Sequence, residues 1–273
     1  MMLGTVGKED YEEPCCPLEK PDEIHSIEIG RVIAKLDEYL GRNDYQGAER
    51  HLQFWKAEAL ENRDRRGLLS VLNEQIGLYR KVGKEDEGLE AIREALAVAH
   101  ELGMEETITM GTTLVNAATA YKAFHQPTMA LPLYEEARRI YESSLTEADS
   151  RLGGLYNNMA LTEAELGHYE EAEALFNKAL RIMEHVENGE IEQAITYCNL
   201  SDLYVARDGM EASESKVMAF MDKAKELLDT ESLPRNGYYA FVCEKCAPAF
   251  GYYGYFAAEK ELMKRAKDIY ERN

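Results

Sequence analysis

Between residues 155 and 180 the chain reads LYNNMALTEAELGHYEEAEALFNKAL. Tyr156, Met159, Ala160 and Glu163 fall on one face of a helix, Gly167-His168-Tyr169 breaks the pattern, and Ala172, Phe176, Ala179 and Leu180 start a second face. Spacings of three and four predict two amphipathic helices joined by a tight turn, a helical hairpin. A single hairpin cannot bury its own apolar stripe, so it requires neighbours.

The chain supplies them by repetition. Gly88, Ile92 and Ala95 recur 42 residues on as Ala130, Tyr134 and Ala137, and again as Ala172, Phe176 and Ala179. Ala48, Leu52 and Trp55 form a less regular earlier copy, with Met221 and Ala224, then Met263 and Ala266, as later ones. First helices obey the same rule through Leu72, Ile76 and Tyr79, then Leu114, Ala118 and Tyr121, then Tyr156, Ala160 and Glu163. Small residues recur where two helices must approach closely, and large ones fill the space beside them. Ala130 and Ala172 are thus predicted to be buried. Turn residues separate the paired helices at Asn43-Asp44, Gly83-Lys84, Gln126-Pro127, Gly167-His168 and Asp208-Gly209. A fixed period of helix pairs predicts an all-α solenoid of about six pairs, in which each unit touches only its neighbours. The repeats fall at about 28–62, 68–104, 108–146, 150–188, 191–230 and 236–273. Pro248 lies midway along the last first helix, where it is expected to kink or interrupt it.

These residues resemble the tetratricopeptide repeat family, whose pattern is a large residue, a small one four on, an aromatic three later, then Gly, aromatic, Ala, aromatic and Ala. Tyr156, Ala160, Gly167, Tyr169, Ala172, Phe176 and Ala179 match it, while Glu163 stands where an aromatic is usual, and His125 and Pro127 replace the turn glycine and aromatic of the third copy. The resemblance covers about residues 28–273 and implies an α–α superhelix, right-handed as in the family. The 42-residue period is similar to the longer repeats of kinesin light chains and some bacterial regulators.

Composition adds less. Lys and Arg number 31 against 51 Asp and Glu, a formal charge of −20. Such a field repels phosphate backbones and anionic membranes and favours basic partners. The N-terminal stretch lacks a basic region followed by an apolar one, so no secretory signal is read, and no apolar run is long enough to span a membrane. The five cysteines suggest reduced thiols, and with them a cytoplasmic protein. Pro14, Pro17 and Pro21 in an acidic context mark residues 1–27 as a separate arm, predicted to be disordered. Cys15-Cys16 within it are read as incidental thiols. Cys243 and Cys246 have the spacing of half a zinc site but lack a second pair, so they are expected in the core. No catalytic constellation, metal set or phosphate-binding loop emerges, and neither an enzyme nor a cofactor is expected.

The polar signal is asparagine. Asn116, Asn158 and Asn199 hold one position in three consecutive first helices, and Asn is a mediocre helix former that needs a reason to be there. Two remain open: the amides bridge neighbouring helices, or, as the family resemblance implies, they bind the backbone of an extended peptide in a concave groove. Thr112, Thr119, Asn157, Leu161 and Asp202 belong to the same expected groove. Val115, Thr119 and Ile195 stand where a carboxylate-binding subclass of the family would carry basic residues, so that clamp is missing in these repeats. The expected function is a scaffold or adaptor for a protein or peptide; the alternative is a peptide-responsive bacterial regulator acting in trans. Residues 238–256, crowded with aromatic rings, are read either as a cap on the solenoid or as a homodimer contact.

Overall fold

The computed structural model describes residues 26–272. The N-terminal arm up to residue 25, with Cys15-Cys16, lies outside the described residues. Among the described residues there are twelve helices and no strand: α1 (Ile29–Gly41), α2 (Tyr45–Glu61), α3 (Arg65–Val82), α4 (Glu85–Glu101), α5 (Ile108–Ala123), α6 (Pro127–Ser144), α7 (Ser150–Glu165), α8 (Tyr169–Met183), α9 (Glu190–Asp208), α10 (Met210–Leu228), α11 (Gly237–Tyr252) and α12 (Phe256–Tyr270). The chain divides into two compact units, one ending at Val71 and one beginning at Leu72, within α3.

In the first unit, α1 turns Val32 and Leu36 inward, and α2 turns in Ala48 and Leu52. Asp44 caps α2 by accepting from the Gly47 N–H at 2.8 Å. Asp64 accepts from the Ile27 N–H at 2.8 Å and the Gly67 N–H at 2.9 Å, so one carboxylate ties the incoming chain to the start of α3. Trp55 is half-buried, with its ring edge-on to Phe54 and His51.

In the second unit, α5/α6, α7/α8, α9/α10 and α11/α12 pack as hairpins, and α4, α6 and α8 each also pack against the first helix of the next pair. The 42-residue rhythm explains why. Ala130, Tyr134 and Ala137 of α6, and Ala172, Phe176 and Ala179 of α8, are all fully buried or nearly so. The alanines let helices close up, and burying a ring such as Phe176 is worth roughly 1.5–3 kcal/mol. The hairpin turns share one backbone device. Gly83, His125, Gly167 and Gly209, each 42 residues after the last, adopt left-handed φ values of 72°, 60°, 82° and 83°. After the first three, the next N–H closes back on the helix, as in Lys84 to Tyr79 O, Gln126 to Tyr121 O and His168 to Glu163 O. That bond satisfies a carbonyl the helix end would otherwise leave open. In the α5/α6 turn the left-handed residue is His125, one before the expected Gln126-Pro127.

Pro248 does not interrupt α11, which runs unbroken from Gly237 to Tyr252. Pro248 and Glu244, the residue whose carbonyl loses its N–H partner, are both exposed, so that carbonyl can turn to water. The aromatic cluster of residues 238–256 splits in two. Tyr239 and Phe250 are fully buried with Cys243 and Cys246, whereas Tyr238, Phe241, Tyr252 and Phe256 are exposed. Cys198 joins the same core from α9. No helix among the described residues is long and apolar enough to cross a membrane.

Candidate functional site

The first helices of the second unit present one row of equivalent positions: Asn116 on α5, Asn158 on α7, Asn199 on α9 and Lys245 on α11. The three asparagines are half-buried and Lys245 is exposed. The position just before each is Val115, Asn157, Cys198 and Glu244, and in α3 it is Asn73. These two adjacent rows decide which amides are committed. The Asn116 amide donates to Oδ1 of Asn73 at 2.9 Å, and the Asn73 amide donates in turn to Thr113 at 3.0 Å. The Asn199 amide donates to Oδ1 of Asn157 at 3.1 Å, an oxygen that also accepts from the Thr196 hydroxyl at 3.2 Å. Each bond runs from one repeat to the position one residue earlier in the preceding repeat.

Asn158 breaks the sequence of ties. Its would-be acceptor in the preceding repeat is Val115, which has none to offer. Its side chain makes no hydrogen bond among the described residues, and no buried polar side-chain atom lacks a partner, so the half-buried amide faces water. Leu161, one turn on, is also half-buried on α7.

The remaining expected residues are engaged elsewhere. The Thr112 hydroxyl lies 2.9 Å from the Tyr141 hydroxyl and the Thr119 hydroxyl 3.0 Å from that of Tyr134, both on α6, the second helix of their own hairpin. Asn157 is 7% exposed and accepts both internal bonds. Asp202 accepts from the Tyr253 hydroxyl at 2.7 Å. Lys122 pairs with Glu165 at 3.5 Å, bridging α5 and α7. At the far end of the row, Lys245 lines a cavity of about 490 Å³ with Asp202, Pro248 and Tyr252. Burial raises the Glu192 carboxyl on α9, and the Lys245 ammonium partly offsets this. Asn73 is a residue that sequence reasoning misses, whereas Lys245 is legible there as a possible source of charge. Asn73 sits 84 residues before Asn157, two periods away, and Lys245 holds the asparagine position, so the repeat itself carried both signals.

The family model of the tetratricopeptide repeat matches residues 67–143 and 151–215, more than half of the chain. The chain belongs to the tetratricopeptide repeat family. Several solved structures share the fold of this tetratricopeptide repeat protein. BtubC (BKLC) from P. vanneervenii is 22% identical, with 76% of this chain and 84% of that one covered and a TM-score of 0.63. The nearly identical TPR-like repeats of a Podosopora anserina kinesin light chain are 16% identical, with 74% and 94% covered and a TM-score of 0.53. NprR in complex with its cognate peptide NprX is 17% identical, with 89% and 68% covered and a TM-score of 0.57. These likenesses establish an all-α superhelical repeat fold. No curated protein matches the chain by sequence.

Proposed function

We propose that the repeat domain, residues 28–273, is a scaffold that binds rather than catalyses, holding an extended peptide segment along its first helices. The uncommitted amide of Asn158 carries this reading. An amide offers one acceptor and two donors, which suits a peptide group of any sequence. Here it stands between two rungs, Asn116–Asn73 and Asn199–Asn157, that occupy its neighbours. Leu161 supplies an apolar contact beside it, and Lys245 a charge at the end of the row. Asn116 and Asn199 position the helices and offer a peptide their remaining carbonyl oxygens. NprR, which shares this fold over 68% of its length, is solved in complex with its cognate peptide NprX. Because the Asn158 side chain has no hydrogen-bond partner among the described residues, its loss should leave the fold intact.

The test is a peptide selected on the full chain from a random display library. Asn158→Ala should weaken its binding about ten-fold, the worth of one or two hydrogen bonds, with an unchanged thermal midpoint. Asn116→Ala should instead lower the midpoint, since it breaks the tie to Asn73. Affinity for the selected peptide that stays within two-fold in Asn158→Ala would overturn this placement.

A further inference from the structure

A cavity of about 810 Å³ opens between the first half of α10 and the turn joining α11 to α12. It shares Tyr252 and Tyr253 with the cavity at the end of the amide row but opens on α10 instead of the first helices. One wall is tyrosine: Tyr252, at 69% exposed, with Tyr253 and Tyr255 beside it. The Tyr253 hydroxyl is held by Asp202 at 2.7 Å and the Tyr255 hydroxyl by Asp222 at 2.9 Å, so these two rings are fixed rather than swinging. The other wall is α10. Met210 and Met218, both exposed, flank two glutamates, Glu211 and Glu214. No Lys, Arg or His lines the cavity, and neither glutamate has an ion pair among the described residues.

The same chain shows what such groups hold when a cation is within reach. The Lys178 ammonium lies 4.3 Å from the Tyr156 ring centroid and 3.3 Å from the Glu142 carboxylate. The Arg207 guanidinium lies 4.4 Å from the Tyr204 centroid and bonds Glu173 at 2.6 Å. In both places a tyrosine face and a carboxylate hold a cationic side chain, with Lys216 also 4.2 Å from the Tyr204 centroid, an arrangement favoured by the ring quadrupole and by charge pairing together. The cleft at α10 repeats the tyrosines and the carboxylates and, among the described residues, has no cation in its lining.

The geometry points to a second binding site, for an arginine or lysine side chain of a partner polypeptide, between α10 and the α11–α12 turn. The two methionines fit the aliphatic stem of such a side chain, being unbranched and adaptable. The chain's net charge of −20 draws a basic segment in, and the tyrosines then distinguish this cleft from other acidic surface. The occupant is a basic segment with interspersed apolar residues.

A fluorescent twelve-residue peptide of alternating arginine and leucine, titrated into the full chain by polarisation, tests this. The matched peptide with citrulline for arginine keeps shape and removes charge, and should bind at least about ten-fold more weakly. Glu211→Gln with Glu214→Gln should weaken the arginine peptide about ten-fold, and Tyr252→Leu about five-fold. Glu170→Gln with Glu171→Gln, an exposed acidic pair on α8, should change it less than two-fold, as should Asn158→Ala. Equal losses from both glutamate pairs would mean diffuse attraction to an acidic surface and would overturn the site. So would a loss seen only in Asn158→Ala, which would seat the peptide on the first helices, or no binding at millimolar peptide. The Tyr252 variant keeps its glutamates, so it reads the cleft even where neutralising α10 alters the helix.

Discussion

Gly88 offers a sharp test of how the repeats interlock. It sits in the first turn of α4, at the position that Ala130 and Ala172 hold one and two repeats later. A methyl group added there would stand 2.7 Å from Cε2 and Cζ of Phe124 and 3.5 Å from Cβ of Tyr79. Ordinary contact between carbons is about 3.5–4.0 Å, so ring and helix must part by roughly 1 Å. Phe124 is only 7% exposed and has little room to yield. Overpacking of this kind costs about 1–3 kcal/mol. Against it stands the helix preference for Ala over Gly, at most about 1 kcal/mol and smaller in a first turn. Gly88→Ala is therefore expected to destabilise by about 1 kcal/mol, lowering the thermal midpoint by roughly 2–4 °C in a chain of this size. The next repeat has Ala130 and Leu166 where this one has Gly88 and Phe124. Phe124→Leu alone should cost about 1 kcal/mol for the space it leaves. The double variant should then lose less than the sum of the two by at least about 0.5 kcal/mol. Urea melts of the four proteins with a common m value give the cycle. Additive costs, or a Gly88→Ala protein as stable as its parent, would refute the pairing of ring and glycine.

Two further outcomes concern helix ends. His125 is the one non-glycine among the four equivalent left-handed turns, so His125→Gly should raise stability by about 0.5–1 kcal/mol, less than the full strain because glycine also loosens the unfolded chain; a lowered midpoint would contradict it. Asp149 caps α7 and bonds Arg151 through both side chain and backbone, so Asp149→Ala should cost about 1 kcal/mol at neutral pH. The Arg151 side chain, opposed by burial and helped by the Arg151 N–H, holds the Asp149 carboxyl below its ordinary value. A folded value below the unfolded one gives stability that is complete above about pH 4 and lost as pH falls through the folded value. The gap between parent and variant should therefore narrow progressively as the pH is lowered from about 5 through the folded value. A gap that persists there would show that the carboxylate charge is not what caps the helix.

Much of the fold could be read from spacing, because helix packing repeats with the chain. The buried Ala130 and Ala172 and the turns at Gly83 and Gly167 follow from a period of 42. The site was less legible, since its chemistry depends on which residues meet across repeats. Asn116, Asn158 and Asn199 look alike in sequence, yet their roles are set by Asn73, Val115 and Asn157, one position earlier in the repeat before. Only the stagger between neighbouring helices makes that pairing visible. The aromatic cluster near the C-terminus shows a similar limit. Helical spacing groups Tyr239 with Phe250 and Tyr238 with Phe241, but it cannot say which pair faces the core.

The missing rung at Val115 bears on how the stack can move. Where α7 meets α5, the pair Lys122–Glu165 is the polar link between the first helices among the described residues, and both side chains are partly exposed. On the opposite edge of the same joint, the Tyr156 hydroxyl donates to Glu142 and Lys178 bonds both. The joint between α7 and α9 is bonded on both edges, by Asn199 to Asn157 and by Tyr204 to Glu173. One joint is thus bonded along its back and held along its front by a single partly exposed ion pair, as a door is by its hinge and a light catch. Opening that joint along its front would break fewer directional bonds than opening the next, so under the proposed function the space beside Asn158 is the part of the row that a bound peptide can adjust at least cost.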